Sequence, residues 1–217
     1  MSARGRLLVA TRSAGKRREL EPMLRAHGWD VVTLDEAGLP ERPENEEALE
    51  LAETFEENAL AKARYFHALS GLPTMTDDSG LNCDALGGAP GVLSKRWSAR
   101  AERSGAALDA ANNSMLLSAL AGAALSAEVR RVVATRAARF VCAAAFVNGA
   151  REVVARGETR GWILEREVGT GGFGYDPLFY SDELGAPFGM VTPEEKARVS
   201  HRARAVSALL RKLTEGS

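Results

Sequence analysis

The opening of the chain leaves few architectures available. A short β-rich run, Arg6-Leu7-Leu8-Val9-Ala10-Thr11-Arg12, stops at the small turn Ser13-Ala14-Gly15-Lys16. A charged, leucine-spaced stretch follows from Arg17 to Ala26, is halted by Gly28, and gives way to a second apolar run, Trp29 to Leu34. Strand, turn, helix and strand in that order predict an α/β protein. At 217 residues the chain has the length of one large domain or two small lobes. It can bury roughly 70% of its unfolded surface, so neither disulfides nor a structural metal are needed to fold it.

Further along, Asp35 to Glu53 is acidic, is broken by Pro40 and Pro43, and reads as a loop. Thr54-Phe55-Glu56-Glu57 fits a capping box that opens a helix running to about Leu69 and ending at Gly71, with Phe55, Ala59, Ala63 and Phe66 as its buried stripe. Pro73 to Met75 and Leu81 to Ala85 read as two short strands flanking a polar turn, Thr76-Asp77-Asp78-Ser79-Gly80. Ala106 to Leu120 is helical in pattern. Ala138 to Asn148 and Glu152 to Gly157 predict a hairpin around Asn148-Gly149, a pair suited to a type I′ turn. Thr192-Pro193-Glu194-Glu195 is a second capping box, and a last helix runs from about Ser200 to Leu213.

Composition narrows function. With 28 basic and 29 acidic side chains, the formal net charge of -1 argues against a protein that binds nucleic acid through bulk positive charge. No apolar run approaches the eighteen or so residues of a membrane span, and the start lacks a signal-peptide core. Cys83 and Cys142 stand far apart in apolar contexts, which gives neither a disulfide framework nor a zinc spacing. A reducing, cytoplasmic setting is the expectation.

Several residues could carry chemistry. The Ser13–Lys16 turn would present backbone N–H groups and a lysine at a helix N-terminus, an arrangement that suits an anion and equally an ordinary N-cap. Asp77 and Asp78 would repel one another unless a cation or donors hold them; a hard ion such as Mg²⁺ and substrate phosphates would do so, as would plain solvent exposure. Phe173-Gly174-Tyr175-Asp176 sets two aromatics and a carboxylate on a glycine-rich backbone, fit either for a flat base or for simple packing. Lys196, His201 and Arg202 lie near a helix start, where they could face a polyanion or form surface pairs. No serine sits in a nucleophile elbow and neither cysteine has an activating neighbour, so covalent catalysis is not expected. Taken together, the four features describe a nucleotide-polyphosphate site that uses Mg²⁺.

In series, Val9-Ala10-Thr11 through Gly15-Lys16, Thr54-Phe55-Glu56-Glu57-Asn58-Ala59 with Lys62-Ala63, Asp77-Asp78-Ser79-Gly80-Leu81, Gly87-Gly88-Ala89-Pro90-Gly91-Val92, Gly172 to Pro177, and Lys196 with Ser200-His201-Arg202 resemble the inosine/xanthosine triphosphate pyrophosphatase family, from about Leu7 to Leu210. The resemblance implies a single domain over residues 1–217, α/β in class, with a long mixed β-sheet flanked by helices and a nucleotide cleft between two lobes. It implies a homodimer that binds neither nucleic acid nor membrane. The implied reaction converts deaminated purine nucleoside triphosphates (ITP, dITP, XTP) to monophosphate and pyrophosphate. Carried onto this chain, Thr11, Arg12, Ser13, Ala14, Gly15 and Lys16 would hold the triphosphate, and Ser79 would contact substrate. Asp78 would be proton acceptor and Mg²⁺ ligand, with Glu41 as second metal carboxylate. Phe173, Gly174, Tyr175, Asp176, Lys196, His201 and Arg202 would recognise base and phosphate, with His201 or Arg202 donating to a 6-keto oxygen.

The chain departs from that pattern at Ser13, where the family usually has Asn, at Lys95, where it favours Ala, and at Met190, where it often has Glu. Two other readings remain at this stage. One is a nucleotide-binding sensor without turnover, motivated by Ser13. The other is a related Maf-type pyrophosphatase, which shares the architecture but not the Ser-His-Arg ending.

Overall fold

A computed structural model describes residues 4–99, 105–124 and 136–215. Strand β1 (Arg6–Val9) leads through helix α1 (Ala14–Ala26) into β2 (Asp30–Thr33), as the opening pattern predicts. Ser13 starts α1 by accepting a hydrogen bond from the Lys16 N–H. The region read as a loop contains one short helix, α2 (Pro43–Ala48), because Pro43 at its first turn is already set for helix and Glu44 and Glu46 favour the positive end of its dipole. Helix α3 (Phe55–Ser70) begins at Thr54 and ends at Gly71, which takes the left-handed conformation with φ 69°.

The largest difference from the sequence expectation follows α3. The supposed turn at Thr76–Gly80 is the middle of one continuous strand, β3 (Thr74–Cys83). Helix α4 (Ala106–Ala124) precedes β4 (Ala137–Val147) and β5 (Glu152–Ile163). Asn148 N–H bonds to the Arg151 carbonyl, so the central turn residues are Gly149 and Ala150, one place later than expected. Gly149 has φ 84° and Ala150 lacks a positive φ, a combination that fits type II′ rather than I′. Two short strands, β6 (Phe179–Ser181) and β7 (Ala186–Pro187), and two helices, α5 (Pro193–Val199) and α6 (His201–Glu215), complete the chain. The capping box at Thr192 and Glu195 forms reciprocally.

Among the described residues seven strands form one mixed sheet in the order β2-β1-β3-β4-β5-β6-β7. β1 is parallel to both β2 and β3, whereas β6 is antiparallel to β5 and β7. The order matters for the site. The chain leaves β1 for β2 on one side, then returns past β1 to β3 on the other, and both crossovers are right-handed by rule. Their helices, α1 and α3, therefore cover opposite faces. The packing agrees: Leu20 and Leu24 of α1 bury with Leu7, Val9, Met75 and α6, while Phe66 of α3 buries with Leu8, Ala10 and Val32. Each such leucine contributes about 1.5–3 kcal/mol when fully buried.

The chain divides into two compact units. One holds Met1–Ser79, Cys142–Gly157 and His201–Ser217, and the other holds Gly80–Val141 and Glu158–Ser200. In the first unit, β5 meets α6 where Gly157 has no side chain; a Cβ there would lie 2.3 Å from the His201 carbonyl. In the second, Phe140, Phe179 and Phe188 pack with Leu81, Leu116 and Ile163. No helix among the described residues is long and apolar enough to cross a membrane.

Candidate active site

Successive side chains on a strand point to opposite faces. Asp77 and Asp78, adjacent in β3, therefore turn toward different helices instead of toward each other. Asp77 meets Lys16 of α1 at 3.1 Å and the Nε of Arg202 in α6 at 3.0 Å, both through Oδ2. Asp78 accepts from Lys62 Nζ at 2.9 Å and from Asn58 Nδ2 at 3.2 Å, both on α3. This is why two adjacent acids can lie inside a strand. Each has its own cations on its own side.

Arg202 is 1% exposed, and its nitrogens have several partners: Nε donates to Asp77, Nη2 donates to Ser79 Oγ at 2.8 Å, and Nη1 pairs with Glu19 of α1. Expected from sequence to read base or phosphate, Arg202 has instead the geometry of a brace under Asp77 and Ser79, which share its face of β3. Burial would raise the Asp77 carboxyl, but Lys16, Arg202 and Lys62 outweigh it and hold the group well below the usual carboxylate range. Burial would likewise lower Lys62, yet Asp78, Glu50 and Asp77 raise it above an ordinary lysine.

The remaining residues of the first turn separate into different tasks. Thr11 Oγ1 accepts from the Ser13 N–H, and Ala14 and Gly15 begin α1. Arg12 turns away into the acidic segment, donating to both Glu46 oxygens at 3.1 and 2.8 Å and to the Leu39 and Pro40 carbonyls. Glu41 is exposed and its charge acts on Arg12. The carboxylate that reaches the Asp78 cluster is Glu50, whose Oε1 lies 3.1 Å from Lys62 Nζ. The structure thus brings Glu50, which follows α2, and not the expected Glu41, to the ammonium that Asp78 shares. Asp78 and Glu50 converge on one ammonium with oxygen donors alone, a set that suits a hard divalent ion sharing substrate phosphate oxygens.

In the second unit, Asp176 is 2% exposed, pairs with Lys196 at 2.6 Å and accepts from the Phe173 N–H at 2.8 Å. Lys196 Nζ lies 4.9 Å from the Phe173 ring centre and 5.4 Å from that of Phe188, within cation–π range. Tyr175 is buried, donating its hydroxyl to the Ser94 carbonyl, so the expected clamp of two rings reduces to one partly exposed ring, Phe173. His201 is buried at the start of α6. Lys95 holds Asn112 through its carbonyl, and Met190 is exposed. Cys142 lies 3.8 Å from Asp77, and burial raises its thiol; burial likewise pushes Cys83 up to about 12. Neither is poised as a nucleophile.

The sequence alone assigns no role to Glu19, places Asn58 and Lys62 only within a motif, and leaves Glu50 as one of several acids between Glu36 and Glu57 that could join Asp78 at a metal. Signals existed for three of them. Asn58 and Lys62 are four apart on α3, and Glu19 follows Lys16 by three on α1, spacings that place each pair on one helical face. Glu50 had no such signal.

The family model described as the Ham1 family matches residues 7–212. A dITP/XTP pyrophosphatase of Nocardia farcinica is 47% identical over 207 residues, covering 94% of this chain and 93% of that one. One from Methylococcus capsulatus is 42% identical over 219 residues, 98% and 100% of the two chains. A HAM1 protein from Coxiella burnetii superposes with a TM-score of 0.78 at 32% identity, covering 97% of this chain and 98% of that chain. A nucleoside-triphosphatase, dITP/XTP pyrophosphatase, from Mycobacterium abscessus does so at 0.67 with 41% identity, over 94% and 98%. Matched in sequence and in fold along nearly its whole length, the chain belongs to the Ham1 family.

Proposed function

We propose that this protein is a nucleoside triphosphate pyrophosphatase that hydrolyses deaminated purine nucleotides (ITP, dITP and XTP) to the monophosphate and pyrophosphate. The observation that carries the reading is the Asp77-Asp78 pair, split across the two faces of β3 and held there by Lys16, Arg202, Lys62 and Asn58. The names of the relatives, dITP/XTP pyrophosphatase, support the substrate class.

In the mechanism, water attacks the α-phosphorus, the bond from that phosphorus to the bridging oxygen breaks, and pyrophosphate leaves. Asp78 takes the water's proton; Lys62 and Asn58 fix its two oxygens for that purpose. Lys16 and the free N–H groups expected at the first turn of α1 bind phosphate oxygens. Asp77 and Arg202 hold Lys16 and Ser79 in place. Mg²⁺, held by Asp78 and Glu50, would neutralise phosphate oxygens and polarise the reacting phosphorus when bound. Phe173 is assigned to stacking on the base, with Gly174, Asp176 and Lys196 shaping its loop. His201 is the proposed donor to the 6-keto oxygen; adenine's amino group would leave that donor unpaired, a mismatch that can cost about 10⁴-fold. The proposal includes a homodimer working in the cytoplasm, in keeping with two free cysteines. A sedimentation mass of one chain would remove the dimer from it.

The deciding experiment is pyrophosphate release from ITP, XTP, GTP, ATP and dTTP, each with Mg²⁺ and with EDTA. Metal-dependent release confined to ITP and XTP is expected. Equal release from ATP would overturn the base assignment, and nucleotide binding without release would favour a sensor.

A further inference from the structure

Helix α4 carries polar side chains where a core helix would ordinarily be apolar. Asn112 and Asn113 are only 4% and 3% exposed, on a helix that buries Leu108, Leu116 and Leu120. Asn112 accepts from the Ser98 N–H and donates to the Lys95 carbonyl. Asn113 does something different. Its Nδ2 donates to the Gly174 carbonyl at 3.2 Å and to Glu167 Oε1 at 2.6 Å. One turn earlier on the same helix, Asp109 Oδ2 accepts from the Gly174 N–H at 2.9 Å. A single glycine is thus gripped through both its backbone groups by residues four apart.

Gly174 has φ 60°, the left-handed conformation, yet a Cβ added there would meet nothing within 4 Å. Crowding does not force this backbone conformation. The two hydrogen bonds from α4 hold the glycine in it. The asparagine also carries a cost, because its Oδ1 is buried with no partner among the described residues. A leucine or alanine would avoid that cost, so the amide's two donors are what the position requires.

We infer that Asp109 and Asn113 are positioning residues for substrate recognition: by holding Gly174 they fix the direction of the Phe173 ring on one side and of Asp176, with its Lys196, on the other. This rests on the proposed role of the 173–176 loop in binding the purine base. The two residues do not touch the reacting phosphate, so their loss weakens binding and spares the chemical step.

The test is steady-state pyrophosphate release from ITP and XTP by Asp109→Ala, Asn113→Ala and Asp109→Asn, with amide exchange followed at Gly174. The two alanine variants should raise KM at least about tenfold, leave kcat within about threefold and speed exchange at Gly174. Asp109→Asn keeps an acceptor for the Gly174 N–H and should stay within about threefold of wild type in KM. Gly174→Ala strains the left-handed conformation without altering α4 and should reproduce the KM rise even if an α4 variant does not fold. Unchanged KM in folded variants, or kcat falling in step with stability, overturns the inference. Wild-type protein that releases no pyrophosphate from either nucleotide overturns the functional reading beneath it, a failure seen before any variant is made.

Discussion

Asp78 with Lys62 in one unit and Asp176 with Lys196 in the other are both buried carboxylate–ammonium pairs, 2.9 and 2.6 Å apart, but they keep different company. Around Asp78 the neighbours are themselves charged or polar: Glu50 on the same ammonium, Asn58 on the other oxygen, and Asp77 with its own cations across the strand. Around Lys196 the neighbours are the rings of Phe173 and Phe188. A network that already balances several charges can take up another charged group by exchanging partners. A pair set against aromatic rings offers shape and one flat face. The difference accords with the proposed roles, in which the first unit's cluster handles phosphate and the second unit's Phe173 stacks on the base.

The hardest blow to that contrast falls on Arg202. Arg202→Met removes the cation shared by Asp77 and Glu19, and should cost about 3–5 kcal/mol in denaturant unfolding, since it breaks a buried ion pair from one side and leaves the buried Asp77 with Lys16 as its one close cation among the described residues. A cost below about 1 kcal/mol would mean that the network is not a unit. Next, Asp78→Asn should cut turnover by at least about 10²-fold with the fold retained, whereas Asp176→Asn should act more on KM than on kcat. Equal effects on kcat would erase the assigned division of labour.

A pH titration sharpens the comparison further. Asp77 has its folded pKa held below the unfolded value of 3.8, so its stabilisation is present above that value and is lost as pH falls beneath it. Lys62 is raised above its ordinary 10.5, so its contribution is present below that pH and is lost as pH rises beyond it. Asp77→Asn should be less stable at neutral pH but lose less between pH 4 and 2 than wild type; an equally steep acid limb would place the titrating group elsewhere. The smallest effect concerns caps. Thr54→Ala and Thr192→Ala, one in each unit, should each cost about 1 kcal/mol by thermal unfolding, showing that helix starts do not distinguish the units.

Much of this was readable where the physics is local. Thr54 and Glu57 announce α3, Thr192 and Glu195 announce α5, and strand–turn–helix–strand announces the parallel part of the sheet, because caps and periodicity act over a few residues. The middle of β3 misled for the opposite reason. Thr76-Asp77-Asp78-Ser79-Gly80 has turn composition, and what makes it a strand is compensation from Lys16, Lys62 and Arg202, residues distant in the chain. Which acid of the Glu36–Glu57 run meets Lys62 was not legible, because composition does not distinguish Glu41 from Glu50 and the selection is made by tertiary contact.

The alternation along β3 makes the count of residues in that strand as consequential as their identity. Remove one residue between Met75 and Asp77, and every later side chain changes sides: the acid meant for Lys62 would face Lys16 and Arg202, and Leu81 would leave its core. No substitution could repair this, since each residue would be intact and only its parity wrong. Single-residue insertions and deletions in Thr76–Gly80 should therefore abolish activity where many point changes merely weaken it. Two such changes of opposite sign, placed at either end of the segment, should restore the faces beyond them but leave the acids between them reversed.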